Sequence, residues 1–267
     1  MAYSHVIFLS FLIFTQACQD GGSGSSSDNL CVTASKIIIG NNDWVDHDQT
    51  GDDPQNANER TVAQIKIPAL LASCTGFLIN EDTLMTNNHC IGTAAEALNV
   101  KAVFRDEDGT KTTFTCDQFI TTNAQYDFTL VKCANAPGLT FGWVGLADMK
   151  PEIDERIYVV QENCDYIRDP RCVMNKYVAF GEVLGSQTAR MFHDADTLGG
   201  SSGSPVFSEE THQVVALHHA GGINQNEGIP MVQIKKIITT TTRVKLHEYG
   251  TSQDYSCDNR SIASKTE

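Results

Sequence analysis

Short runs of apolar or alternating apolar and polar residues, separated by turn residues, dominate the middle of the chain. Such runs predict β-strands, because successive side chains of a strand point to opposite faces of its sheet. The predicted strands are 60–67, 74–79, 83–86, 102–104, 128–132, 157–160, 177–183, 205–207 and 214–218. Helical periodicity is weak and predicts only a short turn at 94–98 and a terminal segment at 234–239. Many short strands without long alternating helices predict an antiparallel all-β fold.

The one long apolar run, residues 6–14, is too short to cross a bilayer as a helix and is typical of a signal peptide. We therefore assign residues 1–17 to a signal peptide and expect export. Cys18 and the Gly/Ser-rich stretch after it resemble a bacterial lipoprotein cleavage site, with lipidated Cys18 on a tether within residues 18–36. The alternative is ordinary cleavage after Ala17, which leaves a free cysteine.

Composition bounds the class of protein. With 267 residues and 41% hydrophobic residues, the chain can bury a full core, and one domain of two subdomains is expected. A formal net charge of −14 argues against a nucleic-acid partner.

A run of glycines and small residues at 199–206 surrounds one serine, Ser202. A nucleophilic serine needs a tight turn that exposes its hydroxyl and aims backbone N–H groups at the developing oxyanion. Gly200 can supply such a turn. The alternative is a Gly/Ser-rich surface loop.

Two upstream residues decide between these interpretations. His89 ends an apolar segment next to a cysteine, and Asp127 begins an alternating, strand-like run. A serine hydroxyl becomes nucleophilic when a base takes its proton, and a carboxylate orients that base and stabilises its cation. His89, Asp127 and Ser202 can fill these three roles.

The order His, Asp, Ser, with cysteine after the histidine, resembles the trypsin-like serine proteases. Residues 197–207 are similar to the Thr-x-Gly-Gly-x-Ser-Gly-Ser-Pro-Val-Phe motif of their bacterial glutamyl endopeptidase branch, and 214–222 to its His-x-Gly-Gly region with one extra residue. The resemblance implies two six-stranded β-barrels, about 37–140 and 141–248, and an oxyanion hole formed by the N–H groups of Gly200 and Ser202. Residues 249–267 are polar and are expected to form a tail.

The resemblance also implies a substrate pocket. In glutamyl endopeptidases a threonine and a histidine bind the substrate glutamate, and they correspond here to Thr197 and His218. This correspondence predicts cleavage after Glu or Asp. The alternative is cleavage after Arg or Lys, because Asp196 has the spacing from Ser202 at which trypsin places the carboxylate that binds these side chains. His218 and His219 do not suggest a metal site, because adjacent strand residues point to opposite faces.

Eight cysteines remain beside Cys18, an even number suited to an oxidising compartment. The resemblance implies a bond between Cys74 and Cys90. Cys164 and Cys172 flank a short polar loop that a disulfide could close, and Cys116 and Cys133 lie on either side of Asp127. This leaves Cys31 with Cys257.

Residues 37–43 are similar to the mature start of the glutamyl endopeptidases, so cleavage after Lys36 is expected to free the amine of Ile37. A plain first strand is the alternative. Ser201 stands where trypsin has the aspartate that binds the new amine, so trypsin's activation salt bridge cannot form.

The sequence thus predicts a monomeric serine endopeptidase that needs no metal or organic cofactor, acts on proteins or peptides through an acyl-enzyme, and is secreted or held on the bacterial cell envelope by the lipid at Cys18. One rival is a non-catalytic surface binding protein on the protease fold. A second rival, a quality-control chaperone, would need an appended peptide-binding domain, which the sequence does not suggest.

Overall fold

The computed structural model describes residues 38–39, 42, 44–46, 53–106, 108–165, 169–222 and 224–246. All of them belong to one compact unit, Ala34–Glu267. The predicted signal peptide, Cys18, Cys31, the Lys36–Ile37 cleavage site and Cys257 lie outside the described residues.

The first half of the described chain forms a seven-stranded antiparallel sheet in the order β6-β5-β2-β3-β4-β8-β7. Its strands are β2 (Val62–Ile67), β3 (Ala72–Leu78), β4 (Thr83–Thr86), β5 (Lys101–Arg105), β6 (Lys111–Thr115), β7 (Gln118–Asn123) and β8 (Phe128–Lys132). Strands β2 and β8 are buried along most of their length, so their apolar residues pack in the core.

The second half forms a sheet that closes on itself. Its strands are β1 (Val45–Asp46), β9 (Arg156–Asn163), β10 (Asn175–Ser186), β11 (Met191–His193), β12 (Pro205–Ser208), β13 (Val214–Gly221) and β14 (Asn226–Pro230). The order is β1-β10-β11-β14-β13-β12-β9, and β9 also pairs with β10. Strands β9 to β14 therefore form a closed six-stranded barrel with β1 added at β10.

The all-β antiparallel fold is thus confirmed, with one difference in strand count. The first sheet has seven strands where we expected six, and its edge strands β6 and β7 do not pair with each other. These two strands follow one another in the chain, so the turn at Cys116 and Asp117 crosses from one edge to the other.

The described residues form three α-helices, α1 (Asp53–Arg60), α2 (Gly138–Phe141) and α3 (Met231–Thr241), and a short 3-10 helix at Pro68–Leu70. The terminal helix predicted at 234–239 lies within α3, which is longer at both ends. Residues 94–98 form turns and no helix. Helix α1 escaped prediction because its sequence, DPQNANER, has almost no apolar residues.

The two sheets pack on a shared core. One apolar cluster joins Phe77 and Met85 of the first sheet to Tyr158 and Phe207 of the second. The rings of Tyr158 and Phe207 stack with centroids 4.9 Å apart. This continuous packing fixes the cleft between the sheets, where the candidate catalytic residues meet.

Three disulfides join cysteines that the sequence analysis had paired. They are Cys74–Cys90, Cys116–Cys133 and Cys164–Cys172.

Within the described part of the chain, we find no helix with the length and apolar character needed to span a bilayer.

Candidate active site

His89 and Asp127 form a directly hydrogen-bonded pair. The ring Nδ1 of His89 lies 2.8 Å from Asp127 Oδ2, and the backbone N–H of His89 donates to Asp127 Oδ1 at 3.0 Å. The His89 side chain is 46% exposed, whereas that of Asp127 is only 14% exposed. A carboxylate bound in this way holds the imidazole with Nε2 as the free proton acceptor.

Adjacent strands bring these two residues together. His89 lies three residues beyond the end of β4, and Asp127 immediately precedes β8, which pairs with β4. Asp127 has a left-handed backbone, with φ of 41°, and the side-chain amide of Asn87 donates to its carbonyl at 2.8 Å. This uncommon conformation directs the carboxylate at His89 and indicates a functional constraint.

The pKa of Asp127 lies well below its usual range. Burial alone would raise this pKa, but the hydrogen bonds from His219 and His89, and the charge of His89, outweigh it. Asp127 is therefore an anion throughout the pH range in which a histidine acts as a base.

Ser202 occupies a tight turn between β11 and β12. Its neighbours Gly200 and Gly203 both have left-handed φ angles, 104° and 87°. Ser201 N–H donates to the Leu198 carbonyl at 3.0 Å. In the described part of the chain, the N–H groups of Gly200 and Ser202 have no acceptor, and no hydrogen bond joins Ser202 Oγ to His89.

Ser201 faces away from solvent and is completely buried. Its hydroxyl donates to Gln161 Oε1, and it accepts from the Leu198 N–H at 3.2 Å. The side-chain amide of Asn163 donates to the same Ser201 hydroxyl oxygen at 3.4 Å. Neutral side chains of β9 thus anchor the turn at the position where trypsin has an aspartate.

Thr75 of β3 ties the nucleophile turn to the other sheet. Its N–H donates to the Ser202 carbonyl at 2.8 Å, and its hydroxyl donates to the Gly200 carbonyl at 2.9 Å. The neighbouring Cys74 is disulfide-bonded to Cys90, which follows His89. Covalent and hydrogen bonds therefore connect the Ser202 turn to the His89 segment through two adjacent residues.

His218 lies beside the nucleophile turn. Its N–H donates to the Ser204 carbonyl at 2.9 Å, and its carbonyl accepts from Gly203 at 3.0 Å. The ring meets that of His193 edge-on, with centroids 5.5 Å apart. Burial lowers the pKa of His193 to about 3 and, with smaller contributions from His193, His219 and His89, lowers that of His218 well below its usual value.

Thr197 is also fully buried, and its hydroxyl donates to Asn226 Oδ1 at 3.2 Å. Thr197, His193 and His218 thus belong to the strands and the loop behind the nucleophile turn, where a substrate pocket is expected. All three are neutral and polar.

The carboxylate of Asp196 binds the N-terminal segment of the chain. Its side chain is only 2% exposed, and Oδ1 accepts from the backbone N–H of Ile39 at 2.7 Å. Together with Ile39, Arg156 and Asp194 it lines a surface pocket that includes none of His89, Asp127 and Ser202. The spacing that suggested a role in substrate binding did not reveal this contact with the N-terminal segment.

His219 is a residue of this site that sequence reasoning missed. Its Nδ1 lies 3.2 Å from Asp127 Oδ2, on the oxygen that also binds His89. The adjacent pair His218-His219 was the available signal, but the alternation of a strand predicts only that the two rings lie on opposite faces and not that His219 faces Asp127. In the described residues no group of three or more His, Cys, Asp or Glu side chains is arranged to hold a metal ion.

Comparison with known proteins is consistent with this geometry. The sequence model of the trypsin-like peptidase domain matches residues 74–217, more than half of the chain. The chain belongs to this family. The match begins at Cys74 and includes His89, Asp127 and Ser202.

Two curated relatives illustrate the range of similar proteins. Secreted RxLR effector protein 73 of Plasmopara viticola is 34% identical over 169 residues, covering 56% of this chain and 41% of the relative. A glutamyl endopeptidase of Staphylococcus aureus (strain MRSA252) is 27% identical over 202 residues, covering 72% of this chain and 54% of the relative. The chain thus spans about half the length of these relatives.

Solved structures show the same fold. A Glu endopeptidase in complex with MPD superposes with a TM-score of 0.64 and 21% identity, covering 78% of this chain and 100% of that one. Deg5 superposes with a TM-score of 0.56 and 16% identity, covering 71% of this chain and 94% of that one.

Proposed function

We propose that the protein is an exported serine endopeptidase that acts through an acyl-enzyme. The observation that carries this proposal is the His89–Asp127 pair beside a tight turn that presents Ser202 and two N–H groups without an acceptor in the described residues. Export is supported by the three disulfides, because such bonds persist in oxidising compartments. Lipid anchoring at Cys18 and activation after Lys36 remain predictions about residues outside the described ranges.

The proposed reaction has two halves. Ser202 Oγ attacks the scissile carbonyl carbon while His89 Nε2 takes its proton, and the N–H groups of Gly200 and Ser202 bind the oxyanion. His89 then gives the proton to the leaving amine as the C–N bond breaks, which leaves an acyl ester on Ser202. A water that loses its proton to His89 attacks the ester, and the proton returns to Ser202 as the acid leaves.

We further propose that the substrate residue before the cleaved bond is glutamate or aspartate. His218 offers an imidazole next to the turn at Ser202, with His193 behind it, and the buried Thr197 hydroxyl would join it by exchanging its bond to Asn226 Oδ1 for one to the substrate. A carboxylate that leaves water needs such donors, and its negative charge would favour the protonated form of His218. The contact between Asp196 and Ile39 speaks against the basic specificity that Asp196 suggested.

The test uses the full chain and matched fluorogenic peptides with Glu, Gln or Arg before the cleaved bond. We expect cleavage of the Glu peptide and labelling of Ser202 by a serine-directed phosphonate. Ser202→Ala should lower kcat by several powers of ten. Ser204→Ala is the control, because the buried Ser204 hydroxyl has no partner in the described residues. Unchanged hydrolysis by Ser202→Ala would contradict the assignment of the nucleophile.

A further inference from the structure

The carboxylate of Asp127 is held between two imidazole rings. His89 Nδ1 lies 2.8 Å from Oδ2, and His219 Nδ1 lies 3.2 Å from the same oxygen. The backbone N–H of His89 binds the other oxygen, Oδ1, at 3.0 Å. Because both oxygens are engaged by donors from two directions, the carboxylate cannot rotate without losing hydrogen bonds to a charged acceptor.

A bulge in β13 brings His219 to this position. His218 pairs with Gly228 of β14 and Ala220 pairs with Glu227, so His219 is the extra residue between two regular pairs. A β-bulge redirects a side chain and is frequent next to active sites. Here the ring of His218 packs on His193, whereas that of His219 reaches Asp127 across the cleft.

The charges around His219 favour donation from Nδ1. Glu227 Oε2 lies 3.7 Å from Nε2, beyond hydrogen-bond distance, and Glu227 itself faces Arg190 at 3.6 Å. Asp127 is closer, so in the neutral ring the proton resides on Nδ1, and in the charged ring both nitrogens carry protons. His219 therefore donates to Asp127 in either state. His218 precedes it in the chain, and His89 shares Asp127 Oδ2 with it.

We propose that His219 is a positioning residue that fixes the Asp127 carboxylate against His89. This inference rests on the proposed function, because it assigns His219 a role only if His89 acts as the base. His219 does not contact the reacting atoms. Its contribution is to keep Oδ2 in line with His89 Nδ1 while the imidazole gains and loses its proton.

Two substitutions separate this role from general packing. In His219→Asn the amide nitrogen takes nearly the place of Nδ1 and can still donate to Asp127, whereas His219→Ala removes the donor. We expect His219→Ala to lower kcat about tenfold to a hundredfold with little change in KM, as for loss of a hydrogen bond to a charged group. His219→Asn should retain kcat within about threefold, since it keeps one such bond.

The pH profile supplies a second readout. Loss of a donor concentrates negative charge on the carboxylate that faces His89, so the acid limb of kcat/KM should move to higher pH in His219→Ala and stay in place in His219→Asn. If His219→Ala does not fold, His219→Gln replaces it, because its longer side chain places the amide nitrogen near the position of Nε2, toward Glu227.

Wild-type kcat and an unmoved acid limb in His219→Ala, or in its Gln substitute, would overturn the inference, as would an equal loss in His219→Asn. Phosphonate labelling of wild-type Ser202 distinguishes failure of the His219 inference from failure of the proposed function. If the wild-type protein is labelled and active but the variants match it, only the role of His219 fails. If it is neither labelled nor active, the proposed function fails and the role of His219 fails with it.

Discussion

Gly203, the residue after the candidate nucleophile, has no room for a side chain. Its φ is 87°, and a Cβ at this position would collide with the Thr75 carbonyl and the Thr86 hydroxyl. Gly109 has a similar φ of 79° but nothing within 4 Å of an added Cβ. Both glycines thus have a backbone conformation that strains other residues, and they differ in the space available for a side chain.

We therefore expect Gly203→Ala to cost about 3 kcal/mol or more, the sum of left-handed strain and overpacking. Gly109→Ala should cost about 1 kcal/mol from strain alone. Urea unfolding of both variants measures the difference, and peptidase assays should show a large loss of kcat only for Gly203→Ala. An equal loss in the free energy of unfolding in both variants would show that neighbouring atoms move aside from the added Cβ of Gly203→Ala at little energetic cost.

At the scale of single residues, short sequence motifs indicated the candidate catalytic residues, whereas contacts between residues far apart in the chain could not be predicted. His89, Asp127 and Ser202 could be named because each lies in a short motif. The contact of His219 with Asp127 joins residues 92 positions apart and depends on a bulge that no local pattern announces. The contact of Asp196 with Ile39 spans 157 positions, so the spacing between Asp196 and Ser202 could not predict it.

At the scale of elements, β3 supports the turn at Ser202 through the hydroxyl of Thr75. This hydroxyl donates to the Gly200 carbonyl and accepts from the Glu162 N–H at 2.9 Å, so it links three segments while fully buried. Fixing the Gly200 carbonyl also fixes the peptide that separates the two N–H groups of the proposed oxyanion hole.

Thr75→Val keeps the shape and removes both bonds, whereas Thr75→Ser keeps the hydroxyl. We expect Thr75→Val to lower kcat about tenfold, equivalent to one hydrogen bond, with KM nearly unchanged. Thr75→Ser should stay near wild type. Steady-state kinetics of both variants check this, and a fall in Thr75→Ser as large as in Thr75→Val would show that packing, not the hydroxyl, supports the turn.

Strands with buried apolar runs could be predicted, whereas half-exposed edge strands and the buried but short strands β11 and β14 could not. Strands β4 and β8 were predicted with their observed bounds because nearly every residue in them is buried. Strands β6 and β7 were missed because they are half-exposed edges with several threonines and few apolar residues. Helix α1 was missed for a different reason, because it is largely buried but polar: Gln55, Asn58 and Glu59 are all at most 6% exposed.

At the scale of the whole molecule, buried charges join the two sheets. Arg105 of β5 forms a salt bridge with Glu162 of β9 at 3.1 Å, with both side chains almost fully buried. Nearby, the ammonium group of Lys176 donates to the Glu59 carbonyl at 2.6 Å. Such groups cost desolvation energy, and their geometry must be satisfied for the sheets to pack. None of this could be inferred from strand patterns.

Burial lowers the pKa of Lys176 to about 8, against the opposing effect of the Glu162 and Glu59 carboxylates. Since an unfolded lysine keeps its proton to a higher pH, the unfolded chain binds more protons between about pH 8 and pH 10.5. The contribution of Lys176 to stability should therefore rise across this window, by on the order of 3 kcal/mol in the free energy of unfolding.

Other groups titrate in the same window, so the measurement is a difference between variants. Urea unfolding at pH 7.5 and pH 10.5 should show that Lys176→Met, which has no charge to bury, gains less stability over this interval than the wild type. Lys66→Met, at an exposed position of β2, should follow the wild-type trend. Parallel pH dependence of all three proteins would mean that Lys176 keeps its proton in the folded state, held by Glu162 and Glu59 more strongly than burial opposes it.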